Sequence, residues 1–154
     1  MNKIFFSYSK PKNIQQDSII KYIKDVLQQE GLSIIEVQSE RYDVSPLFVI
    51  SEAIKKCDFF ICIAYEKESF ITSNGTILYH TSPWLDIEIT LAVSYQIPFF
   101  IIKEEKLAET ALLNSSDSLY YYSLPNTREH LMDFKYLQET IIPQLIKCIK
   151  TALH

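Results

Sequence analysis

The chain has 154 residues, 47% of them hydrophobic and 22% charged, with a formal net charge of −4 at pH 7. That length can bury a full core within one domain spanning residues 1–154, and the composition is that of a globular protein rather than a disordered or fibrous one. Its only arginines are Arg41 and Arg128 and its lysines are scattered, which argues against a nucleic-acid backbone as partner. No apolar run reaches the roughly 20 residues needed to cross a bilayer, and the opening "MNKIFFSYSKPK" is too short in apolar length for a signal peptide. A cytoplasmic protein with no membrane contact is expected.

Cys57, Cys62 and Cys148 are odd in number, sit in or beside apolar segments and lack a C-x-x-C spacing. His80, His130 and His154 lack the i, i+4 spacing of a helical metal pair. Neither a disulfide framework nor a metal site is expected.

In chain order, "KIFFSYS" (Lys3–Ser9) reads as a first strand. "DSIIKYIKDVLQQEG" follows as an amphipathic helix with Ile19, Ile20, Ile23, Val26 and Leu27 at helical spacing. Asp17 or Ser18 is placed to cap its start, and Gly31 to end it. "LSIIEV" (Leu32–Val37) is a second strand, "QSERYDVSP" a polar loop, and Leu47–Lys56 a second helix. "CDFFICIAY" (Cys57–Tyr65) is apolar without alternation, as a central strand covered on both faces should be.

A long polar and aromatic loop, the 18 residues Glu66–Pro83, leads to a third helix from Trp84 to about Gln96. Thr81 or Ser82 is its expected N-cap and Pro83 its first residue. Ile97-Pro98 turns the chain into a fourth strand, "IPFFIIK", because proline ends a helix and can begin a strand. "SLYYYSL" (Ser118–Leu124) is a weaker fifth strand. A last helix runs from about Phe134 to Leu153, with Pro143 requiring a kink or a division into two.

Strand and helix alternating in this way predict an α/β sandwich, a parallel sheet with helices on both faces. The flavodoxin-like strand order 2-1-3-4-5 puts the ligand crevice at the carboxyl ends of strands one and three. That points to Ser7–Pro11 and to Tyr65 onward. One residue stands out there. Glu88 lies in an otherwise apolar helix, four residues after Trp84 and four before Ala92, with no basic residue in the helix to pair with it. A buried, unpaired acid marks a candidate site. The two glycines, Gly31 and Gly75, allow no glycine-rich phosphate loop, and no G-x-S-x-G elbow is present. A carboxylate among aromatics suits cleavage at a sugar carbon, whose transition state is cationic.

Several of these segments together resemble Toll/interleukin-1 receptor (TIR) domains. "IFFSYS" (Ile4–Ser9) is similar to the family's first-strand box. "ISEAIKKCDFFICIAYEKESF" is similar to its second helix feeding the third strand. "SPWLDIEITLA" is similar to an S-x-W-x-x-x-E-x-x-x-A box, with Trp84, Glu88 and Ala92 in register. Ile97-Pro98 is similar to the opening of its fourth strand. The resemblance covers about residues 3–103.

It implies a TIR fold and cleavage of the nicotinamide–ribose bond of NAD+, as substrate rather than cofactor, with Glu88 as catalytic acid. Phe6, Ser7, Tyr8 and Trp84 would line the pocket, with Arg41 and Asp43 contributed by the loop Gln38–Asp43. It further implies self-association, and a role in bacterial antiphage defence of the Thoeris-like kind. There NAD+ is depleted, or turned into a cyclic or conjugated ADP-ribose signal read by a separate effector. The long 66–83 segment departs from the family pattern.

Two alternatives stay open. Nucleoside 2-deoxyribosyltransferase-like enzymes also break N-glycosidic bonds with a helical glutamate, and "NGT" (Asn74–Thr76) is similar to their D-x-G-T element. A non-catalytic TIR module that only assembles with others is the second.

Overall fold

The computed structural model describes residues 1–37, 45–108, 121–124 and 134–154. In chain order they form β1 (Lys3–Tyr8), α1 (Ile14–Gln29), β2 (Ser33–Ile35), α2 (Pro46–Lys55) and β3 (Phe59–Ala64). Then come β4 (Glu68–Ile71), β5 (Ile77–His80), α3 (Pro83–Ser94), β6 (Phe99–Glu104) and β7 (Tyr121–Leu124). The chain closes with α4 (Phe134–Tyr136), a π-helical turn (Leu137–Ile141) and α5 (Ile142–Leu153).

Five strands make one parallel sheet in the order β2-β1-β3-β6-β7, the winding reversing between β1 and β3. Leaving the inserted β4–β5 aside, this is the strand order expected of a flavodoxin-like sheet.

The sheet is covered on both faces. Ile4, Phe6, Ile61, Ile63 and Ile102 pack with Ile19, Ile23 and Leu27 of α1 and with Leu145 and Ile149 of α5. Phe5, Phe60, Cys62 and Ile101 pack with Ile50 and Ile54 of α2 and with Ile89 and Ala92 of α3. Every residue of β3 is fully buried, which is why its sequence shows no alternation. Burying each such large side chain contributes about 1.5–3 kcal/mol.

Helix ends follow local chemistry, with one correction. α1 starts at Ile14, because the Asn13 side chain accepts a hydrogen bond from the Gln16 N–H at 2.8 Å; Asp17 and Ser18 lie inside the first turns. At its other end Gly31 takes φ +76°, while the Leu32 and Gly31 N–H groups close on the Leu27 and Gln28 carbonyls. α3 ends in the same arrangement, Ile97 N–H on the Ala92 carbonyl, but with Gln96 at φ 57° where a glycine would be strain-free.

The segment expected to be a long loop is instead an antiparallel hairpin. Phe70 pairs with Leu78 and Ile71 with Ile77 across the turn, and Gly75 takes φ +83°. Thr72 closes that turn, its Oγ1 within 3.1 Å of the Thr76 N–H and its backbone N–H on the Thr76 carbonyl. The signal was Asn74-Gly75 between two short strand-forming runs. β2 is shorter than the expected Leu32–Val37. β7 falls inside the expected fifth strand, whose first residues lie outside the described ones. Pro143 sits in the first turn of α5, and the π turn before it absorbs the proline that interrupts a regular helix.

Candidate active site

At the carboxyl end of the sheet the parallel register sets Ser7 of β1 opposite Cys62 of β3. Side chains alternate along β1, so Phe5 and Ser7 face α2 and α3 while Phe6 and Tyr8 face α1. The start of α3 is tied to this edge through buried hydroxyls. Ser9 Oγ lies 2.7 Å from Thr81 Oγ1, accepts from the Tyr65 N–H at 3.1 Å and donates to the Tyr65 carbonyl at 3.2 Å. Ser82 flanks the helix without a side-chain capping bond, and Pro83 opens it. These contacts fix the direction in which the first two turns of α3 present their side chains.

Glu88 projects from the second turn toward β1, and the Ser7 hydroxyl donates to its Oε2. No cation stands beside it among the described residues. Burial pushes its carboxyl above the usual range, and the Ser7 hydrogen bond partly opposes that by favouring the ionised form. Burial raises the neighbouring Cys62 thiol far more, reinforced by the Glu88 and Asp86 charges. Asp86 is also raised by burial, opposed by His80.

The sequence suggested that α3 is enclosed almost all round. The structure shows otherwise: Leu85, Ile89 and Ala92 are buried, whereas Trp84 is 46% exposed, Ile87 37% and Val93 49%. Glu88 lies at the border between those faces, where β1 ends.

A cavity of about 580 Å³ opens over this point, within the size range of small-molecule sites. Phe6, Ser7, Tyr8, Trp84 and Glu88 all line it. Arg41 and Asp43 lie outside the described residues. Ser9 and Lys10, within the Ser7–Pro11 segment expected at the crevice, also reach the cavity, as do Ser82, expected only as a helix cap, and Glu36, which sequence reasoning passed over. For Glu36 the signal was a lone acid ending the apolar run "LSIIEV". Among the described residues no cluster of His, Cys, Asp and Glu is arranged to hold a metal ion, and no helix is long and apolar enough to cross a membrane.

Chemically, the arrangement offers a carboxylate with one fixed hydrogen bond, aromatic surfaces and, among the described residues that line the cavity, one lysine, Lys10. It can stabilise a positive charge next to Glu88 and hold a flat, polar ligand.

No protein-family model matches the chain, and no curated protein matches it in sequence. Among solved structures it is similar to the CMP N-glycosidase BcmB of Clostridium botulinum, with TM-score 0.55 and 20% identity over 90% of this chain and 97% of that one. It is also similar to a 2-deoxyribosyltransferase of Bacillus psychrosaccharolyticus, with TM-score 0.48 and 19% identity over 88% and 95% of the two chains. The TIR domains of the Roq1 resistosome align with TM-score 0.45 and 11% identity over 68% of this chain and 58% of that one. The first of these likenesses extends the α/β assignment over nearly the whole of both chains.

Proposed function

We propose that this protein cleaves the N-glycosidic bond of a nucleotide, with Glu88 as the catalytic carboxylate. One observation carries the reading: a half-buried carboxylate, oriented by the Ser7 hydroxyl and free of any neighbouring cation among the described residues, at the base of the cavity where the sheet reverses. The near full-length fold likeness to a protein named as a CMP N-glycosidase supports it.

In the reaction the C1′–N bond breaks and its electron pair leaves with the base. The developing oxocarbenium ion is stabilised by the Glu88 charge, which also accepts a hydrogen bond from a ribose hydroxyl. Water adds at C1′, so that hydroxyl goes to the sugar and its proton, overall, to the base. An ion pair at about 4 Å with an effective dielectric constant of about 20 is worth about 4 kcal/mol, or about a thousandfold in rate.

NAD+ is the second substrate to consider, because its nicotinamide–ribose bond breaks through the same oxocarbenium ion, nicotinamide leaving as the neutral molecule and the proton of the added water passing to solvent. The TIR-like boxes of the sequence favour it, for the first-strand Ser7 and the helical Glu88 of those boxes meet in one hydrogen bond.

The test is to incubate wild type and Glu88→Gln with CMP, other nucleotides and NAD+, separate the products by liquid chromatography, and include a free base to detect transfer. Release of base or nicotinamide by wild type, reduced about a thousandfold in Glu88→Gln, is expected. Indistinguishable turnover by the two proteins, or none with any of these substrates, refutes the reading.

A further inference from the structure

The cavity is lined by groups of both charges. Ser82, at the start of α3, and Lys10, just past β1, line it, and Lys10 makes no ion pair among the described residues. Glu36, just past the edge strand β2, lines it as well, with Tyr8. The register of β1 on β2, Phe5 opposite Ile35, puts Glu36 on the α1 side of the sheet, where Tyr8 also points.

Lys24 of α1 links these two. Its ammonium pairs with Glu36 Oε1 and lies 4.8 Å from the centre of the Tyr8 ring and 3.5 Å from the Tyr8 hydroxyl. Phe6 supports the same ring at 5.7 Å between centres. An exposed glutamate ordinarily samples many rotamers; this one is held by one oxygen, with both partners of the pair about three-quarters buried (side-chain exposures 23% and 28%). Its second oxygen takes no hydrogen bond from the described residues.

We infer that Glu36 selects the leaving base, its second carboxylate oxygen accepting a hydrogen bond from an exocyclic amino group on a ring laid against Tyr8. The inference rests on the N-glycosidic reading above. With the reacting carbon at Glu88, the two ends of a nucleotide must point to opposite sides of the cavity. Lys24 already has its carboxylate in Glu36, whereas Lys10 makes no ion pair among the described residues, so a phosphate is drawn to Lys10 and the base is left with Tyr8 and Glu36. An ionised carboxylate can only accept hydrogen bonds. It therefore favours an amino-substituted ring and opposes a ring with a keto oxygen at that edge. Sites built on a fixed polar partner discriminate strongly, because the mismatched ligand leaves that partner unsatisfied.

Cytidine and uridine 5′-monophosphates differ at that edge, an amino group and a bare ring nitrogen against a keto oxygen and a ring N–H, and supply the test: a carboxylate held at the exocyclic position is satisfied only by the amino group. Wild type should favour the cytidine nucleotide in kcat/KM by at least about tenfold, the worth of one charged hydrogen bond. In Glu36→Gln, whose amide both donates and accepts, the ratio should fall to within about threefold of one. Glu36→Asp, which withdraws the carboxylate by one methylene, repeats the comparison should the glutamine variant fail to fold. The same ratio is read independently as dissociation constants on Glu88→Gln protein, which does not depend on turnover. A wild-type ratio near one, or a ratio that survives both substitutions, overturns the assignment of Glu36 alone. Absence of turnover with every substrate refutes the reaction instead, and leaves the binding ratios to decide on Glu36.

Discussion

Replacing Ser7 with alanine tests how Glu88 is prepared for its work. The substitution removes one hydroxyl whose side chain is almost fully buried, and it leaves a space too small to disturb the sheet. Two influences act on the Glu88 carboxyl: burial, which raises its pKa, and the Ser7 hydrogen bond, which lowers it. In Ser7→Ala burial acts alone, so the pKa climbs further. The acid limb of the kcat/KM profile, below which Glu88 is protonated and unable to stabilise a cation, moves to higher pH.

On the plateau the loss is one of orientation. Hydrogen bonds to charged groups contribute about 1.5–3 kcal/mol, and the cavity is open to water, so the lower figure applies. That is about a tenfold fall in kcat/KM. The assay is base release by chromatography from about pH 4 to pH 9, with thermal unfolding as a control for the fold. A Ser7→Ala profile that overlays the wild type in both plateau and acid limb would refute the argument that this hydroxyl governs the carboxylate.

Four other outcomes follow from the same geometry. Because burial raises the folded-state pKa of Glu88, its contribution to stability is fully present below the unfolded pKa and lost as pH rises through the folded one. Glu88→Gln is therefore expected to raise the melting temperature at pH 7 by about 3 °C while lowering turnover about a thousandfold; a lower melting temperature contradicts this. Gln96→Gly relieves a left-handed residue at the end of α3 and should stabilise by about 1 kcal/mol in urea unfolding, whereas a destabilised variant would show that the Gln96 side chain matters more than its backbone. Trp84→Ala, at a side chain 46% exposed on the cavity, should raise KM about tenfold with little change in melting temperature; an unchanged KM removes Trp84 from the ligand's surroundings. Cys62 is fully buried with its thiol raised well above the usual range, so at pH 8 a charged thiol reagent should leave it unmodified until denaturant is added, and rapid labelling of the native protein would refute that.

Much of the architecture was readable along the chain because it rests on short-range physics. The short, uninterrupted "FFICIA" of β3 fits a strand covered on both faces, and the spacing of Ile19, Ile23 and Leu27 fits one face of a helix. Pro83 and Ile97-Pro98 marked the bounds of α3 to within a few residues, since proline's ring acts locally. The hairpin was equally local, and Asn74-Gly75 announced it, but the surrounding polarity concealed it.

The site itself is a matter of tertiary structure. Glu88 could be singled out as an acid in an apolar helix, yet its partner Ser7 lies 81 positions away and meets it only because β1 and α3 converge at the reversal of the sheet. Tyr8 was expected at the pocket, but Lys24 and Glu36 are ordinary surface-type residues in the sequence, one on α1 and the other just past β2. Only the parallel register of β1 on β2, with α1 packed over that edge, brings their charges and ring together. Periodicity fixes which face a side chain takes on its own element; which distant face it meets depends on how strands pair and helices pack, and no local pattern carries that.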